Sequence, residues 1–292
     1  MKRPLILITP GDPAGIGPEI IAKALASPDL PQSCDFECIP YPSGSILGQP
    51  DEASARIALH CLEEAARRLK NGTADAVVTG PVSKESLQAI GFPYPGQTEF
   101  FCERLGAEDV TMCLSGDHLT VALVTIHIPI ADVSSSLTVS SIVTSGTHLA
   151  DFMVQRLRRT PRIAVCGLNP HAGENGAFGR EEIEIIAPAV RELQSLGIAD
   201  FSGPHVPDAI FRDAARGAYD AVLCMYHDQG LIPLKLLDFD NAVNITLGLP
   251  RPRLSPDHGT AFAIAGKNIA DHSSVLRALQ RAAEMVGNPS IP

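Results

Sequence analysis

Three short apolar runs in this chain each lead into a histidine, and that recurrence limits the fold more than any other feature. The clearest is Ala221–Met225, followed at once by Tyr226-His227-Asp228-Gln229-Gly230. An apolar run this short, bounded by turn residues, reads as a buried strand of a parallel sheet. Val121–Ile126 runs into His127-Ile128-Pro129, and Arg162–Leu168 into Asn169-Pro170-His171. Helices predicted at about 140–158 and 180–196 fall between these strands. The alternation is that of an α/β protein with a mixed or parallel sheet. In such sheets ligands gather beyond the carboxyl ends of the strands, where all three imidazoles would stand.

The amino-terminal part repeats the plan. Leu5–Thr9 is a predicted strand, a turn of Gly, Pro and Asp covers 10–18, and Pro18 suits the first turn of a helix continuing through Leu25. A strand–glycine loop–helix unit can offer backbone N–H groups to a phosphate. Here Ile20 occupies the third glycine position of GxGxxG and no Walker lysine follows, so the loop reads as a structural turn. Phe36–Ile39 is a second predicted strand, Ala53–Lys70 a helix ended by Asn71-Gly72, and Ala74–Thr79 a third strand. After the proline-rich turn at 91–96, Thr98 is placed either to cap the next helix or to touch a ligand.

Composition bounds the partners. A formal charge of −10 over 292 residues argues against nucleic acid or an anionic membrane surface. An anionic substrate would therefore need a local basic cluster. Apolar content of 45% with 19% charged residues describes a soluble globular protein, and no run is long enough to cross a bilayer. The first apolar run is too short for a signal h-region. Seven cysteines, an odd number without a CxxC pair, fit reduced thiols in a cytoplasmic protein.

One histidine behind a strand is more often a hydrogen-bonded loop residue than a ligand. Three in the same position favour a divalent metal site at His127, His171 and His227, suited to Zn²⁺ or to a harder ion such as Mg²⁺ helped by carboxylates. Asp228 and Glu174 stand near enough in sequence to serve as extra ligands or to orient the imidazoles. The remaining histidines lack this context.

The segments GDPAGIGPEI, TGPVSK, GQTEFF, HIPIADV, GLNPHAGENGAFGREE, MYHDQGLIPLK, VNITLGLPRPR and DHGTAFAIAG run in order from Thr9 to Asp271. Together they resemble the 4-hydroxythreonine-4-phosphate dehydrogenase family. The resemblance implies a two-lobed α/β fold like that of isocitrate and isopropylmalate dehydrogenases, with a central mixed or parallel sheet and flanking helices. It implies a cofactor-side lobe of residues 1–125 with 255–292, and a lobe of 126–254 for metal, substrate and dimerisation. NAD or NADP would bind without a GxGxxG loop, at His258, Gly259 and Thr260. A divalent metal (Zn²⁺, Mg²⁺ or Co²⁺) would sit on His127, His171 and His227, and substrate on Gln97, Thr98, Lys235, Asn244 and Arg253. Lys235 or Asp228 would move the protons.

The implied reaction oxidises a small phosphorylated hydroxy-amino acid, 4-phosphooxy-L-threonine, at C3 and then decarboxylates it, in vitamin B6 synthesis. The implied active unit is a homodimer with its site at the subunit interface. The family's usual His-Thr pair is Gln97-Thr98 here, which keeps open a related substrate, D-threonate or D-erythronate 4-phosphate. A third reading is a metal- or anion-binding protein without catalysis.

Overall fold

The structure is a computed structural model that describes residues 3–239 and 241–287. Among these, strands in chain order are β1 (Leu5–Thr9), β2 (Asp35–Cys38), β3 (Ala76–Thr79), β4 (Thr111–Ser115), β5 (Thr120–Leu123), β6 (Arg162–Cys166), β7 (Asp200–His205), β8 (Ala221–Cys224), β9 (Val243–Leu247) and β10 (Arg253–Pro256). The helices are α1 (Gly17–Leu25), α2 (Glu52–Lys70), α3 (Lys84–Ala89), α4 (Gln97–Leu105), α5 (Val133–Ser136), α6 (Val139–Leu157), α7 (Ala187–Leu196), α8 (Pro207–Ala215), α9 (His227–Asp238) and α10 (Ser273–Val286). The chain divides into two compact units, Met1–Glu108 with Val243–Pro292, and Asp109–Ala242.

In the first unit the strands lie in the order β2-β1-β3-β10-β9. All neighbours are parallel except β10 and β9, which are antiparallel. The β1 run is apolar throughout, as a strand covered on both faces must be. Leu7 and Val77 turn into a core with Ala58, Leu62, Ala65 and Leu69 of α2 and with Phe100 and Phe101 of α4. Asp51 opens α2 with a capping box, its side chain accepting from the Ser54 N–H at 2.7 Å.

The second unit orders its strands β4-β5-β8-β6-β7. β5, β8, β6 and β7 run parallel, and β4 pairs antiparallel with β5. Leu123, Cys166, Val222 and Cys224 pack with Leu231 and Leu234 of α9. All seven cysteines are free thiols, and burial pushes that of Cys61 up to about 11. No helix among the described residues is long and apolar enough to cross a membrane.

Two local expectations change. His227 and Asp228 do not lie in a loop after β8 but begin α9, despite Gly230 and Pro233 inside it. The cause is tertiary. Gln229 accepts from the Met225 N–H at 2.7 Å and donates to the Gly167 carbonyl at 2.8 Å, and a Cβ on Gly230 would lie 2.9 Å from Leu123 and 3.0 Å from Cys224. Glycine lets the helix sit down on its own strands. Thr98 likewise is not the cap of α4: that position is Gly96, and Thr98 is the second helical residue.

The glycine-rich turn after β1 is filled by protein. A Cβ on Gly11 would lie 2.2 Å from the Pro81 carbonyl oxygen, on Gly15 2.8 Å from that of Thr260, and on Gly17 2.0 Å from that of Pro10. Gly11 also has φ +75°. Gly11→Ala is therefore expected to destabilise by about 3–5 kcal/mol, because backbone meets backbone and neither can yield. Gly106→Ala, at φ +70° but in open space, should lose only about 1–2 kcal/mol. Urea unfolding of the two variants compares these values, and equal losses would contradict the packing assigned to the turn.

Candidate active site

In the first unit the parallel strands β1, β3 and β10 deliver their carboxyl ends to one edge of the sheet. Arg253 opens β10 and is only 3% exposed. Its Nη2 donates to Thr79 Oγ1 at 2.7 Å and to Gln97 Oε1 at 3.1 Å, and its Nη1 to Thr246 Oγ1 at 3.3 Å. All three acceptors are neutral. Burial pushes the guanidinium pKa down to about 10, with the Glu99 carboxylate acting through space in the opposite sense. The group stays protonated at neutral pH and is buried without a carboxylate in contact among the described residues.

Six described side-chain atoms are buried and lack any hydrogen-bond partner: Asp12 Oδ2, Glu19 Oε2, Asn244 Oδ1, Arg253 Nε, His258 Nε2 and Arg281 Nε. Asn244 lies on β9 opposite Ser255 of β10. His258 follows β10, its Nδ1 3.1 Å from the Gly259 carbonyl, and the Thr260 carbonyl accepts from the Ile16 N–H at 2.9 Å. Gln97 is fixed from both ends, since its Nε2 donates to the Gly80 carbonyl at 3.3 Å. Thr98 is half-buried one residue further along α4. Native interiors leave few polar atoms unsatisfied, and each asks for an account. An oxyanion would satisfy the N–H of Arg253 Nε, and a donor would satisfy Asn244 Oδ1.

In the second unit His127 and His227 come together, with ring centres 5.7 Å apart. His127 is reached by a turn in which the N–H groups of Val124 and Thr125 still bond the carbonyls of Cys224 and Met225, so the chain follows β8 past the end of β5. His227 Nδ1 lies 2.7 Å from Asp228 Oδ1. That contact engages Nδ1 and fixes the ring, leaving Nε2 on its other side. At the far end of α9 the buried Asp238 accepts from the N–H groups of His118 and Leu119 at 2.9 and 3.1 Å, fixing the helix that presents His227. Lys235 lies on the same helix, its Nζ 5.9 Å from the centre of the Phe239 ring.

His171 stands apart from that pair. It begins a run of five residues, His171–Asn175, all with φ between 41° and 77°. A left-handed turn costs about 1–2 kcal/mol for each residue that carries a Cβ, so something must hold it. Glu182 does so: 3% exposed, it accepts from the N–H groups of Leu168 and Asn169, both at 2.7 Å, and from Asn169 Nδ2 at 2.9 Å. Glu182 opens a π-helical turn, Glu182–Ile186, where sequence periodicity predicts plain α-helix. His171 and Glu174 are exposed on this turn. Among the described residues no group of three His, Cys, Asp or Glu side chains converges as a metal site. Asp12 and Glu182 carry no sequence signal of their own, because their meaning comes from burial.

Comparison with known proteins gives consistent matches. The family described as "Pyridoxal phosphate biosynthetic protein PdxA" matches residues 19–282. A 4-hydroxythreonine-4-phosphate dehydrogenase of Zymomonas mobilis is 43% identical, over 97% of this chain and 96% of that protein. The crystal structure of 4-hydroxythreonine-4-phosphate dehydrogenase from Klebsiella pneumoniae superposes with a TM-score of 0.86 at 35% identity, covering 98% of each chain. Isocitrate dehydrogenase from Methylococcus capsulatus, at 15% identity and a TM-score of 0.53, covers 98% of this chain and 86% of its own, and shares the fold.

The unpaired guanidinium yields a direct test. Removing a buried charge in favour of an apolar group of similar length is often neutral or stabilising. Arg253→Met should therefore melt no lower than the wild type without ligand. Millimolar inorganic phosphate should raise the wild-type melting temperature and leave that of the variant unmoved. A variant that melts well below wild type would make Arg253 a structural residue instead.

Proposed function

The chain belongs to the PdxA family, and from that premise we propose that it is an NAD(P)-dependent, metal-assisted dehydrogenase for 4-phosphooxy-L-threonine. The C3–H bond breaks with its electron pair passing as hydride to the nicotinamide, the C3 hydroxyl proton leaves to a base, and the resulting β-keto acid loses CO₂. The observation that carries this reading is Arg253, a buried cation whose hydrogen-bond partners among the described residues are all neutral and whose Nε is unsatisfied. Its planar fork suits an oxyanion of a phosphorylated acid, and it supplies local positive charge within a chain of net charge −10. Gln97, held between Arg253 and Gly80, orients that fork, and Thr98 and Asn244 add neutral contacts.

The residues of the second unit fit a divalent cation. His227 is turned by Asp228, and the His127 ring is close enough for both imidazoles to reach one ion at bonds of about 2.0–2.1 Å. When bound, the ion would acidify the substrate hydroxyl and stabilise the enolate left by decarboxylation. His171 would complete the set from a second copy of the chain, since His127 and His227 already share one protomer. The exposed Ile232 and Leu236 of α9 and Phe239 just after it recur at a helical spacing, with Ile130 exposed three residues after His127, and offer apolar side chains suited to that pairing. Asp228 or Lys235 would take the hydroxyl proton. The orphaned His258 Nε2, with Gly259 and Thr260, would hold the dinucleotide in place of a glycine fingerprint.

A second reading is favoured by Gln97. Where the family carries a histidine, this chain places a neutral amide on Arg253, so D-threonate or D-erythronate 4-phosphate is the rival substrate. Steady-state assays with NAD⁺ or NADP⁺ and Zn²⁺, Co²⁺ or Mg²⁺ separate the two, and the proposal expects the highest kcat/KM for 4-phosphooxy-L-threonine. In the same assay His227→Ala and His171→Ala should each lose at least about 100-fold. Mixing the two and allowing subunits to exchange should restore about a quarter of wild-type activity, because half the dimers are hybrids with one intact site. No turnover of any candidate, or no recovery on mixing, would reject the corresponding part.

A further inference from the structure

Asp12 has been given no role in the reaction so far, yet it is 1% exposed and half unsatisfied. Its Oδ1 accepts from the Ala14 N–H at 3.0 Å, while Oδ2 is buried with no partner. Among the described residues no lysine, arginine or histidine is ion-paired with it. A carboxylate held this way is an uncompensated charge, which folding alone does not favour.

Its surroundings say what could compensate it. On one side the turn that Asp12 begins is bonded to the dinucleotide loop proposed above: the Gly15 N–H donates to the Asp12 carbonyl and the Ile16 N–H to that of Thr260, both at 2.9 Å. On the other side the Asp12 N–H donates to the Pro81 carbonyl at 2.9 Å, and the adjacent Gly80 carbonyl accepts from Gln97, which holds Arg253. Backbone hydrogen bonds thus tie the turn at Asp12 both to the loop at Thr260 and, through Pro81 and Gly80, to the Gln97–Arg253 pair. Hydride transfer requires the nicotinamide ring to touch the substrate carbon, so with dinucleotide at Thr260 and substrate at Arg253 the ring end of the cofactor would come to this turn. That ring carries a positive charge when oxidised and none when reduced.

We infer that Asp12 is the counter-charge to the oxidised nicotinamide, so that the site holds NAD(P)⁺ more tightly than NAD(P)H. This rests on the dinucleotide reading above. Hydride arrival neutralises the ring, the attraction to Asp12 vanishes, and the reduced product is released more readily.

Asp12→Asn tests it, since the amide keeps the shape and can still accept from the Ala14 N–H. Calorimetric titration of the wild type and the variant with NAD⁺ and with NADH reads the affinities, and thermal melting without ligand reads stability. The inference expects NAD⁺ affinity to fall roughly tenfold, as for a partly screened charge pair, and NADH affinity to fall less than about threefold. It also expects the ligand-free variant to melt at or above the wild-type temperature. Equal losses for both forms, a rise confined to the substrate KM, or a variant that melts lower or fails to fold would each overturn it. A wild type that binds neither form would instead remove the dinucleotide reading beneath it.

Discussion

A guanidinium buried against three neutral oxygens is the constraint on which the first unit turns. Moving a charge out of water costs several kcal/mol per ion even after the protein relaxes. The hydroxyls of Thr79 and Thr246 and the amide of Gln97 repay only part of that. The strand order makes the arrangement possible: β10 enters beside β3 in parallel while β9 returns antiparallel. Arg253, Thr79 and Thr246 thereby come from three adjacent strands. The same unit also leaves buried atoms of Asn244, His258 and Asp12 unsatisfied, as a site that a ligand completes would.

The second unit follows the same logic with different chemistry. α9 is tied at one end by Asp238 to the β4–β5 turn, and Gln229 near its start bridges Met225 and Gly167. That rigidity aims His227 at His127. Glu182 plays the corresponding part for the left-handed turn of His171, anchoring Leu168 and Asn169 at its entrance with three hydrogen bonds to a buried carboxylate. Each imidazole is therefore positioned by a polar group outside the set that would bind metal.

Much of the fold was legible because apolar runs and turn residues are local signals. β1 spans the same residues as its apolar run, and α2 and α6 lie within a residue of the predicted helices. The α/β class followed from alternation alone. Local signals failed where a distant partner decides. Gly230 and Pro233 speak against helix, yet Gln229 and the glycine's contact with Leu123 and Cys224 impose one. Thr98 looks like a cap, but Gly96 holds that position. The residues His171, Ala172, Glu174 and Asn175 give no warning of positive φ. Of the candidate site residues, motif resemblance singles out Arg253 and Gln97, whereas Asp12 becomes visible only when burial exposes its missing partner.

The central claim is that the unsatisfied buried groups around Arg253 are held for a phosphorylated acid. A crystal structure with 4-phosphooxy-L-threonine bound examines this most directly. The account predicts an oxyanion of the ligand within hydrogen-bonding distance of Arg253 and a ligand donor on Asn244. A ligand seated elsewhere, with Arg253 still facing only protein, would contradict it.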